Sequence, residues 1–506
     1  MSQLTAIDWT IALAYLAVVF GMGLWFFRKQ ETNAGYFLGD CRMHWLPVGL
    51  SLFATQFSSN SFVGLPAKAA YEDYHLLLAI LFIPLVVAPL ACLYFVPFYR
   101  ALRLVSLHEY FERRFGRGLR LVASIAFMVH SVGWMGTMLV AAGKILVPML
   151  GVGENSVFLI LIGLGAVATL YTAIGGVKAV IWTDSLQAFA LGGGMIFLLS
   201  IIVGQIDGGW TGMVERASEQ NKFEMFKTEG GFASANIFSA CAFGFFVYLG
   251  AEIASFTPVQ RFASVPTARD ARRTVMVKAV FVAFSCTLFF LVGTSLFVFY
   301  SESAPDVLAE FGDGRKRDQL LPHFVLNHGG GYGMTGLLLA GLFAAAMSSL
   351  DSTINSMTAS VVTDWMHGRE VGPRVNRLLT AAFGSAAVVV ACVLQTIDMP
   401  IFTILMSVSG AALGVLLAVL LLGLLVKRAN TVSAYLVFVF GLGGYALSRF
   451  YDLQTWWDGA FVVVFGFSGA CVSMYLAKPP SEEQLDGLMM HGRYKPRQIS
   501  EDGLSG

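Results

Sequence analysis

Six polar side chains interrupt an otherwise apolar run between Ser51 and Tyr71. They fall within seven consecutive positions: Thr55, Gln56, Ser58, Ser59, Asn60 and Ser61. Polar residues inside an apolar segment long enough to cross a membrane are costly and mark pathways more often than packing. With Gly64 and Pro66 close behind, the composition is typical of a broken helix, whose free backbone carbonyls can bind a cation. The alternative is an unbroken helix in which the hydroxyls hydrogen-bond to carbonyls one turn earlier.

A second stretch, from Phe343 to Asp364, predicts a helix with an oxygen-rich stripe. The residues that share one helical face or lie beside it are Ala345, Ser348, Ser349, Asp351, Ser352 and Asn355. Hydroxyl, carbonyl and carboxylate oxygens suit hard cations, and the lack of several converging carboxylates argues against a tight divalent site. The alternative is a helix-packing surface of small residues, which would leave Asp351 as a buried acid without a role.

A third stretch, from Ile174 to Phe189, carries the carboxylate of Asp184 after a Gly-Gly turn and inside the next apolar run. A carboxylate at membrane depth predicts a functional site. The alternative is that Asp184 lies near the membrane surface with its carboxylate in water.

The polar residues of all three stretches must be positioned by membrane-embedded helices, as the composition of the chain indicates. The chain has 506 residues, of which 56% are hydrophobic and 13% charged, and this excludes a water-soluble globule. Thirty-three basic against 32 acidic residues leave a net charge of +1, so the charge balance predicts no nucleic-acid partner. The six scattered cysteines form no Cys-x-x-Cys pair and are interpreted as small core residues.

Several catalytic motifs are missing from the sequence. It contains no G-x-x-x-x-G-K-[ST] phosphate loop, no H-E-x-x-H and no G-x-S-x-G elbow. An ATP-driven pump or a zinc or serine membrane hydrolase would need one of these or an equivalent. We therefore expect a protein that is not an enzyme.

About thirteen apolar runs are long enough to cross roughly 30 Å of hydrocarbon. They lie near 8–27, 46–66, 75–99, 120–149, 156–174, 178–204, 233–257, 274–300, 334–362, 377–397, 401–426, 432–449 and 458–477. The first run lacks the basic start and the cleavage site of a signal peptide, so we expect it to be retained. The sequence thus predicts one all-α, multi-pass membrane domain with two sizeable polar loops, 205–232 and 301–333.

The basic residues predict how these spans are oriented. Alternate connections collect most of them on one side, beginning with Arg28, Lys29 and Arg42 and including Arg261. The opposite side holds seven: Lys68, Arg216, Lys222, Lys227, Arg315, Lys316 and Arg317. Because cytoplasmic loops are enriched in Lys and Arg, we expect an external N-terminus and a cytoplasmic C-terminus in the cell (inner or plasma) membrane.

Taken together, several motifs resemble those of the sodium:solute symporter family, over nearly the whole chain. They are VIWTDSLQ (180–187), VQRF (259–262), the hydroxyl-rich helix at Ser348, ATQFSS followed by GLPAKA, and KRAN (427–430). The last two resemble the bacterial sialic acid transporter branch most. The resemblance implies a LeuT-type inverted repeat of five plus five helices, with the first and sixth core helices broken. It divides the chain into an N-terminal helix and loop (1–45), the transport core (46–426), two additional helices (427–477) and a cytoplasmic tail (478–506).

The resemblance also implies Na⁺ as the coupling ion and places its ligands. A shared sodium site would use the backbone carbonyls of Ala54, Phe57 and Ala345 and the hydroxyls of Ser348 and Ser349. A second sodium site would use Asp184, Ser348, Asp351 and Ser352. The nearest branch has a serine where this chain has Asp351. Since two carboxylates repel unless a cation or proton lies between them, we expect Asp351 either to tighten the second sodium or to be protonated when that site is empty.

The solute-binding residues follow from matched position and polarity. We expect them to be Ser58, Asn60, Ser61, Leu76, Trp134 and Glu252. Trp134 stands where the sialic acid branch has an arginine for the substrate carboxylate, and its ring suits stacking on a sugar face. Glu252, in a second broken-helix candidate, suits hydrogen bonds from sugar hydroxyls or pairing with an amine.

These observations predict a sodium-coupled symporter that imports a small organic solute by alternating access. The solute is a sugar or sugar-like molecule, with sialic acid as the rival within the family. The partners are sodium, the solute and the lipid bilayer, without nucleic acid or an obligate protein partner. A solute-binding membrane sensor and a sodium-conducting channel are the alternatives from other classes.

Overall fold

The computed structural model describes residues 4–27, 37–153, 156–329, 333–366, 371–397, 401–476 and 478–490. Within these ranges every regular element is a helix, as expected where lipid offers no hydrogen-bond partner to the backbone. Some basic residues used to orient the spans lie outside the described residues: Arg28, Lys29, Arg369, Arg493, Lys495 and Arg497.

The first part of the chain forms a leading helix and a set of five spans that begins with a broken helix. The leading helix is α1 (Ala6–Phe27), and the broken helix consists of α2 (Trp45–Gln56) and α3 (Ser59–Tyr71). The other elements are α4 (His75–Ala101), the short α5 (Leu107–Phe115), α6 (Arg117–Met149), α7 (Val157–Leu170) and α8 (Gly176–Gly204).

A second set of five spans repeats this plan. After the surface helix α9 (Gly209–Glu219) it begins with a broken helix, α10 (Ile237–Ile253) and α11 (Phe256–Ser264). It continues through α12 (Ala268–Ser303), the short α13 (Pro305–Glu310) and α14 (Leu320–His328), α15 (Met334–Trp365), α16 (Pro373–Leu394) and α17 (Ile401–Leu425). The chain then adds α18 (Thr431–Phe450), α19 (Asp458–Leu476) and the short α20 (Glu482–Leu485). Because each set holds an odd number of spans, the second set crosses in the opposite direction to the first.

Both breaks lie where apolar helical sequence gives way to small polar residues. Helix α2 ends at Gln56, and Phe57 (φ −92°, ψ 86°) and Ser58 (φ −102°, ψ 178°) are not helical before α3 begins. Helices α10 and α11 are bent by 50° across their break. A different kink separates α7 from α8, where Gly176 adopts φ 57°, a left-handed value that glycine tolerates readily.

The number of spans depends on how broken helices are counted. Among the described residues, ten helices are long and apolar enough to cross a membrane, and the bent pair α10 and α11 makes eleven. The first broken helix and the shorter α7 would bring the total to thirteen, the number expected from the sequence. The loops 205–232 and 301–333 contain the helices α9, α13 and α14 rather than being wholly irregular.

Helix α15 lies at the centre of the fold and packs against α2 and α8. Its most apolar segment is 89% buried, against 22% for α1. Helix α12 packs along both halves of the first broken helix. Glycines permit this close approach, since a Cβ at Gly49 would lie 2.8 Å from Cβ of Val277, and one at Gly293 would lie 2.2 Å from the carbonyl oxygen of Pro66. The break in α2 is thereby held against the oxygen-rich stripe of α15.

Candidate ion and solute sites

The end of α2 presents a backbone carbonyl to two hydroxyls of α15. The last carbonyls of a helix lack intrahelical partners, so a helix that stops inside the membrane must satisfy them elsewhere. The carbonyl oxygen of Ala54 accepts from the hydroxyls of Ser348 (3.1 Å) and Ser349 (3.3 Å), and Ser348 also donates to the carbonyl of Ala345 (3.3 Å). These four residues are fully buried. The structure therefore gathers four of the five residues expected at the shared sodium site.

The fifth residue, Phe57, is the first residue beyond α2. Its N–H donates to the carbonyl of Phe53 (2.8 Å), and its ring packs against Phe53 and Phe289 with centroid distances of 5.1 and 4.8 Å. The ring packing fixes the position of the break next to the oxygen cluster. A cluster of neutral oxygens without a carboxylate fits a monovalent hard cation.

A second cluster surrounds Asp184 on α8. Its Oδ2 accepts from the hydroxyls of Ser51 (2.6 Å) and Ser352 (3.0 Å), while Oδ1 of Asp351 accepts from the N–H of Ser352 (2.6 Å). Both carboxyl groups are fully buried. Within the described part of the chain, Oδ1 of Asp184 and Oδ2 of Asp351 have no hydrogen-bond partner. The cluster thus contains two carboxylate oxygens that are available to a cation.

Arg261 on α11 belongs to this second cluster, although it was not among the predicted site residues. Its side chain is fully buried, and its Nη2 donates to the hydroxyl of Ser352 at 3.0 Å. Its Nε and Nη1 have no partner among the residues described. From the sequence, Arg261 is counted with the basic residues of a connection outside the membrane, after the span 233–257; the structure instead places it in α11, where it is fully buried. The signal available in the sequence was the VQRF motif, which places an arginine inside a broken helix.

With both carboxyls ionised, this cluster would carry one more negative than positive charge. An isolated buried charge is costly unless it is paired. The guanidinium of Arg261 offsets one of the two carboxylates, Asp184 or Asp351, and leaves one negative charge. One sodium ion, or one proton on Asp351, would restore neutrality, so the donor set fits a monovalent ion.

Helix α15 is fastened to the neighbouring helices at its end. Asp364 is fully buried, accepts from Nε of Arg120 (2.8 Å) and the hydroxyl of Ser360 (2.8 Å), and lies 2.7 Å from Nδ1 of His108. These contacts join α15 to α5 and α6. They hold the helix that carries Ser348 and Ser349 in a fixed position.

A cavity lies beside the break of α2, enclosed by α3, α4, α6, α10, α12 and α17. Its polar lining residues are Gln56, Ser61, Tyr248 and Ser409, and most of the remaining wall is apolar, with Phe57, Phe243 and Trp134 among its aromatic side chains. No Asp, Glu, Lys or Arg among the described residues lines it. We call this space the upper cavity.

The structure places the expected solute residues in different environments. Ser61 and Trp134 line the upper cavity. Ser58 and Leu76 are buried away from it, and the amide of Asn60 donates to the hydroxyl of Thr137 at 2.8 Å. Of these residues only Ser61 and Trp134 are therefore positioned to touch a solute in this conformation. Gln56, Tyr248 and Ser409 line the cavity but were not predicted, because their position depends on how α2, α10 and α17 pack.

Glu252 is paired with a lysine of the protein and is not available to a solute. Its carboxylate forms a buried ion pair with Lys278 on α12, and both side chains are 2% exposed. The expected amine partner is thus an internal lysine, and Glu252 does not line the upper cavity.

Lys222, in the connection between α9 and α10, contacts the C-terminal end of α3. Its Nζ donates to the carbonyls of Ala70 (2.6 Å) and Glu72 (3.3 Å) and lies 3.8 Å from the ring centroid of Phe297. Burial lowers the pKa of Lys222 to about 8, although Asp73 and Glu72 act in the opposite direction. The contact fastens the end of the first broken helix to a loop.

Two oppositely directed sets of five spans, each opening with a broken helix, together with an oxygen cluster at the first break, define an ion-coupled secondary transporter. The sodium:solute symporter family model matches residues 36–441. The chain belongs to the sodium:solute symporter family, and it is a transporter rather than an enzyme.

A curated relative and one solved structure agree with this assignment, and a second solved structure shares the fold. The chain is 30% identical to the sodium/sialic acid symporter NanT of Aliivibrio fischeri over 439 residues, which cover 85% of each chain. It superposes on a substrate-bound, outward-open Na⁺-coupled sialic acid symporter with a TM-score of 0.85 and 26% identity, covering 95% of this chain and 100% of that one. Mhp1, a nucleobase-cation-symport-1 family transporter, matches at a TM-score of 0.57 and 14% identity over 90% of this chain and 98% of its own.

These findings confirm several expectations from the sequence. The fold is the all-helical LeuT type with broken first and sixth core helices, and the protein is a multi-pass membrane transporter. Its function is sodium-coupled symport of a small organic solute, with Na⁺ as the coupling ion, in preference to the sensor and channel alternatives.

Proposed function

We propose that the protein imports an uncharged, sugar-like organic solute together with sodium. The observation that carries this proposal is the upper cavity, which adjoins the shared sodium cluster and has no charged side chain among its described lining residues. Gln56, Ser61 and Ser409 supply hydrogen-bonding groups, and Trp134 supplies a flat apolar face.

The chemistry of the wall favours a neutral solute. A carboxylate or ammonium group that entered this cavity would lose water without gaining a protein charge, which is costly. Hydroxyl groups lose less hydration free energy than charged groups do. They also regain hydrogen bonds from the amide of Gln56 and the hydroxyls of Ser61 and Ser409. A sugar also presents an apolar face, which suits the ring of Trp134.

Sialic acid is the second candidate, because the relatives described above are sialic acid symporters. Its carboxylate would have to pair with a cation that the protein does not supply at Trp134. A sodium ion bound by Ala54 and Phe57 is the available partner, since Phe57 also lines the upper cavity.

For the ions we propose two sites. The shared site uses the carbonyls of Ala54, Phe57 and Ala345 and the hydroxyls of Ser348 and Ser349, supported by the contacts between α2 and α15. The second uses Asp184, Ser348, Asp351 and Ser352, supported by the unpaired carboxylate oxygens beside Arg261. Arg261 then balances one carboxylate, and sodium, or a proton when the site is empty, balances the other.

We also propose an external N-terminus, a cytoplasmic C-terminus and residence in the cell (inner or plasma) membrane. The basic connections support this orientation even after Arg261 is removed from them. The domain division into 1–45, 46–426, 427–477 and 478–506 is proposed on the same basis. It is supported by α18 and α19, which follow the two five-span sets and pack against each other.

The experiment is to record charge movement from purified protein in proteoliposomes. Neutral hexoses, polyols, sialic acids, monocarboxylates and amino acids are presented in sodium and then in choline buffer. We expect a sodium-dependent current with a neutral hexose or polyol. A current with sialic acid alone would contradict an uncharged solute and favour sialic acid. The Ser348→Ala variant, in which sodium coupling should be weakened, is the control.

A further inference from the structure

A second cavity lies on the other side of Trp134. Four residues line both cavities and form the partition between them: Gln56, Trp134, Ala251 and Leu413. Trp134 carries the largest side chain of the four. We call this second space the lower cavity.

The two cavities differ in polarity. The lower cavity is lined by Thr55, His130, Ser131, Ser255, Thr257 and Thr353 in addition to the partition. Besides the partition, the described residues that line the upper cavity include the hydroxyl groups of Ser61, Tyr248 and Ser409, and most of the others are apolar. A solute that passes from one to the other therefore exchanges an apolar wall for a hydroxyl-rich one.

His130 gives the lower cavity an unsatisfied buried group. The side chain is 8% exposed, and its Nδ1 has no hydrogen-bond partner in the described residues. Its ring lies 5.9 Å from that of Trp134, at 50° to it. An unpaired buried imidazole nitrogen is costly, and a solute hydroxyl would satisfy it.

The helices that line each cavity show where it leads. The upper cavity is bounded by Leu65 on α3 and by Phe243, near the start of α10. The lower cavity is bounded by Thr257 and Pro258 on α11, which leads to the basic connection before α12. Under the proposed orientation, on which this step depends, the lower cavity faces the cytoplasm.

We propose that the lower cavity is a second binding site for the same uncharged, hydroxyl-bearing solute on its way out, and that the ring of Trp134 is the gate between the two sites. The solute leaves the upper cavity when this ring moves. Its hydroxyls then bind His130 and the Ser and Thr hydroxyls before release. Among the four partition residues, Trp134 is the one with an aromatic ring, so movement of this ring opens the largest part of the partition.

The first test of the gate needs no knowledge of the solute. A cysteine is placed in the lower cavity (Ser255→Cys) or in the upper cavity (Ser61→Cys). A membrane-impermeant, anionic methanethiosulfonate is applied to right-side-out or inside-out vesicles, and mass spectrometry locates the label. We expect Ser255→Cys to react from the cytoplasmic side and Ser61→Cys from the external side.

The gate is then opened by mutation. With Trp134→Ala added, each cysteine should also react from the opposite side, at a rate raised about tenfold. Trp134→Phe keeps an aromatic barrier and is the matched control, expected to preserve the sidedness. If Trp134→Ala leaves the sidedness intact, or if Ser255→Cys already reacts from outside, Trp134 is not the gate. A thermal unfolding midpoint in detergent close to that of the parent shows that each variant has folded.

The second test addresses binding in the lower cavity and uses the solute that gives the largest current in the panel above. His130→Phe should slow its sodium-driven exit into the vesicle lumen about tenfold while changing the external KM by less than about twofold. His130→Asn, which retains a hydrogen-bonding group, should restore most of the exit rate. Equal effects of His130→Phe on external KM and exit would show that the lower cavity is not a separate site. A panel without any current would contradict the proposed function, while the cysteine test of the gate would stand.

Discussion

Each of the two broken helices leaves backbone carbonyls without an intrahelical hydrogen bond, and the two breaks satisfy these carbonyls with different partners. At the first break, the carbonyl of Ala54 accepts from the hydroxyls of Ser348 and Ser349, groups of a type that suits a hard cation. At the second break, the carbonyl of Ile253 accepts from the hydroxyl of Tyr99, and Glu252 is paired with Lys278.

The difference indicates what each break is for. Neutral oxygens from two helices can exchange their mutual hydrogen bonds for an ion, so the first break can respond to sodium. A buried ion pair inside the protein has no such exchange available, so the second break is held by the protein alone. Next to the second break, α10 therefore supplies walls of the cavities, through Tyr248 in the upper one and Ala251 in both, while Arg261 farther along α11 belongs to the second cluster.

The largest expected effect concerns the fixed ion pair. Lys278→Met leaves Glu252 charged and buried, and we expect it to lower the free energy of unfolding by about 3–5 kcal/mol. The double variant Glu252→Met/Lys278→Met should recover much of this loss, because neither charge remains. Thermal unfolding in detergent measures both. A single variant as stable as the parent would show that the second break is not held by this pair.

The next prediction concerns the first break, where we expect a substitution to weaken sodium binding rather than stability. Ser348→Ala removes one hydroxyl ligand from the shared sodium site, and we expect the apparent sodium affinity to fall by about 10- to 100-fold. Stability should change far less than in Lys278→Met, because no charge is left unpaired. Uptake measured against sodium concentration tests this, with Ser356→Ala, on the same helix and outside both proposed sodium sites, as the matched control. An unchanged sodium dependence would remove Ser348 from the ion site.

Asp351→Asn tests whether the second cluster binds its own ion. We expect the number of charges moved per solute to fall by about one, because Arg261 and Asp184 then balance each other without sodium. The ratio of charge to solute flux in proteoliposomes measures this. If Asp351→Asn left both the stoichiometry and the pH dependence of transport unchanged, Asp351 would bind neither sodium nor a proton.

The smallest effect concerns the contact that fastens the end of the first broken helix. The pKa of Lys222 is lowered to about 8, so the folded protein loses this proton at lower pH than the unfolded chain, whose lysine keeps its ordinary pKa of 10.5. Below pH 8 both states hold the proton and the cost of burying the charge is fully present. As pH rises above 8 the folded state releases the proton first, and its stability increases.

Lys222→Met should remove this dependence. Thermal unfolding midpoints measured between about pH 7.5 and 9.5 should therefore rise more with pH in the parent than in the variant. If the unfolding midpoints of the parent and the variant changed equally with pH, Lys222 would make no pH-dependent contribution to stability. Lys227→Met, in the same loop, is the matched control.

The sequence alone indicated the break in α2 and the stripe on α15, because both are local patterns. A cluster of polar residues in an apolar run limits the helix, and the helical period places Ser348, Ser349 and Ser352 on one face. The contacts of Arg261 and Glu252 were not indicated. Each depends on which helix packs against it, and spacing along the chain does not contain that information.

The sequence by itself determined that this chain lies in a membrane, where its helices break and which oxygens are grouped for a hard cation. Hydropathy, local polarity and helical period are properties of neighbouring residues, so they can be read without a fold. Only the tertiary structure decided that Ser348 hydrogen-bonds to the carbonyl of Ala54, that Lys278 pairs with Glu252 and that Trp134 lies between two cavities. These contacts join helices that are distant in sequence, and close packing rather than local preference selects them.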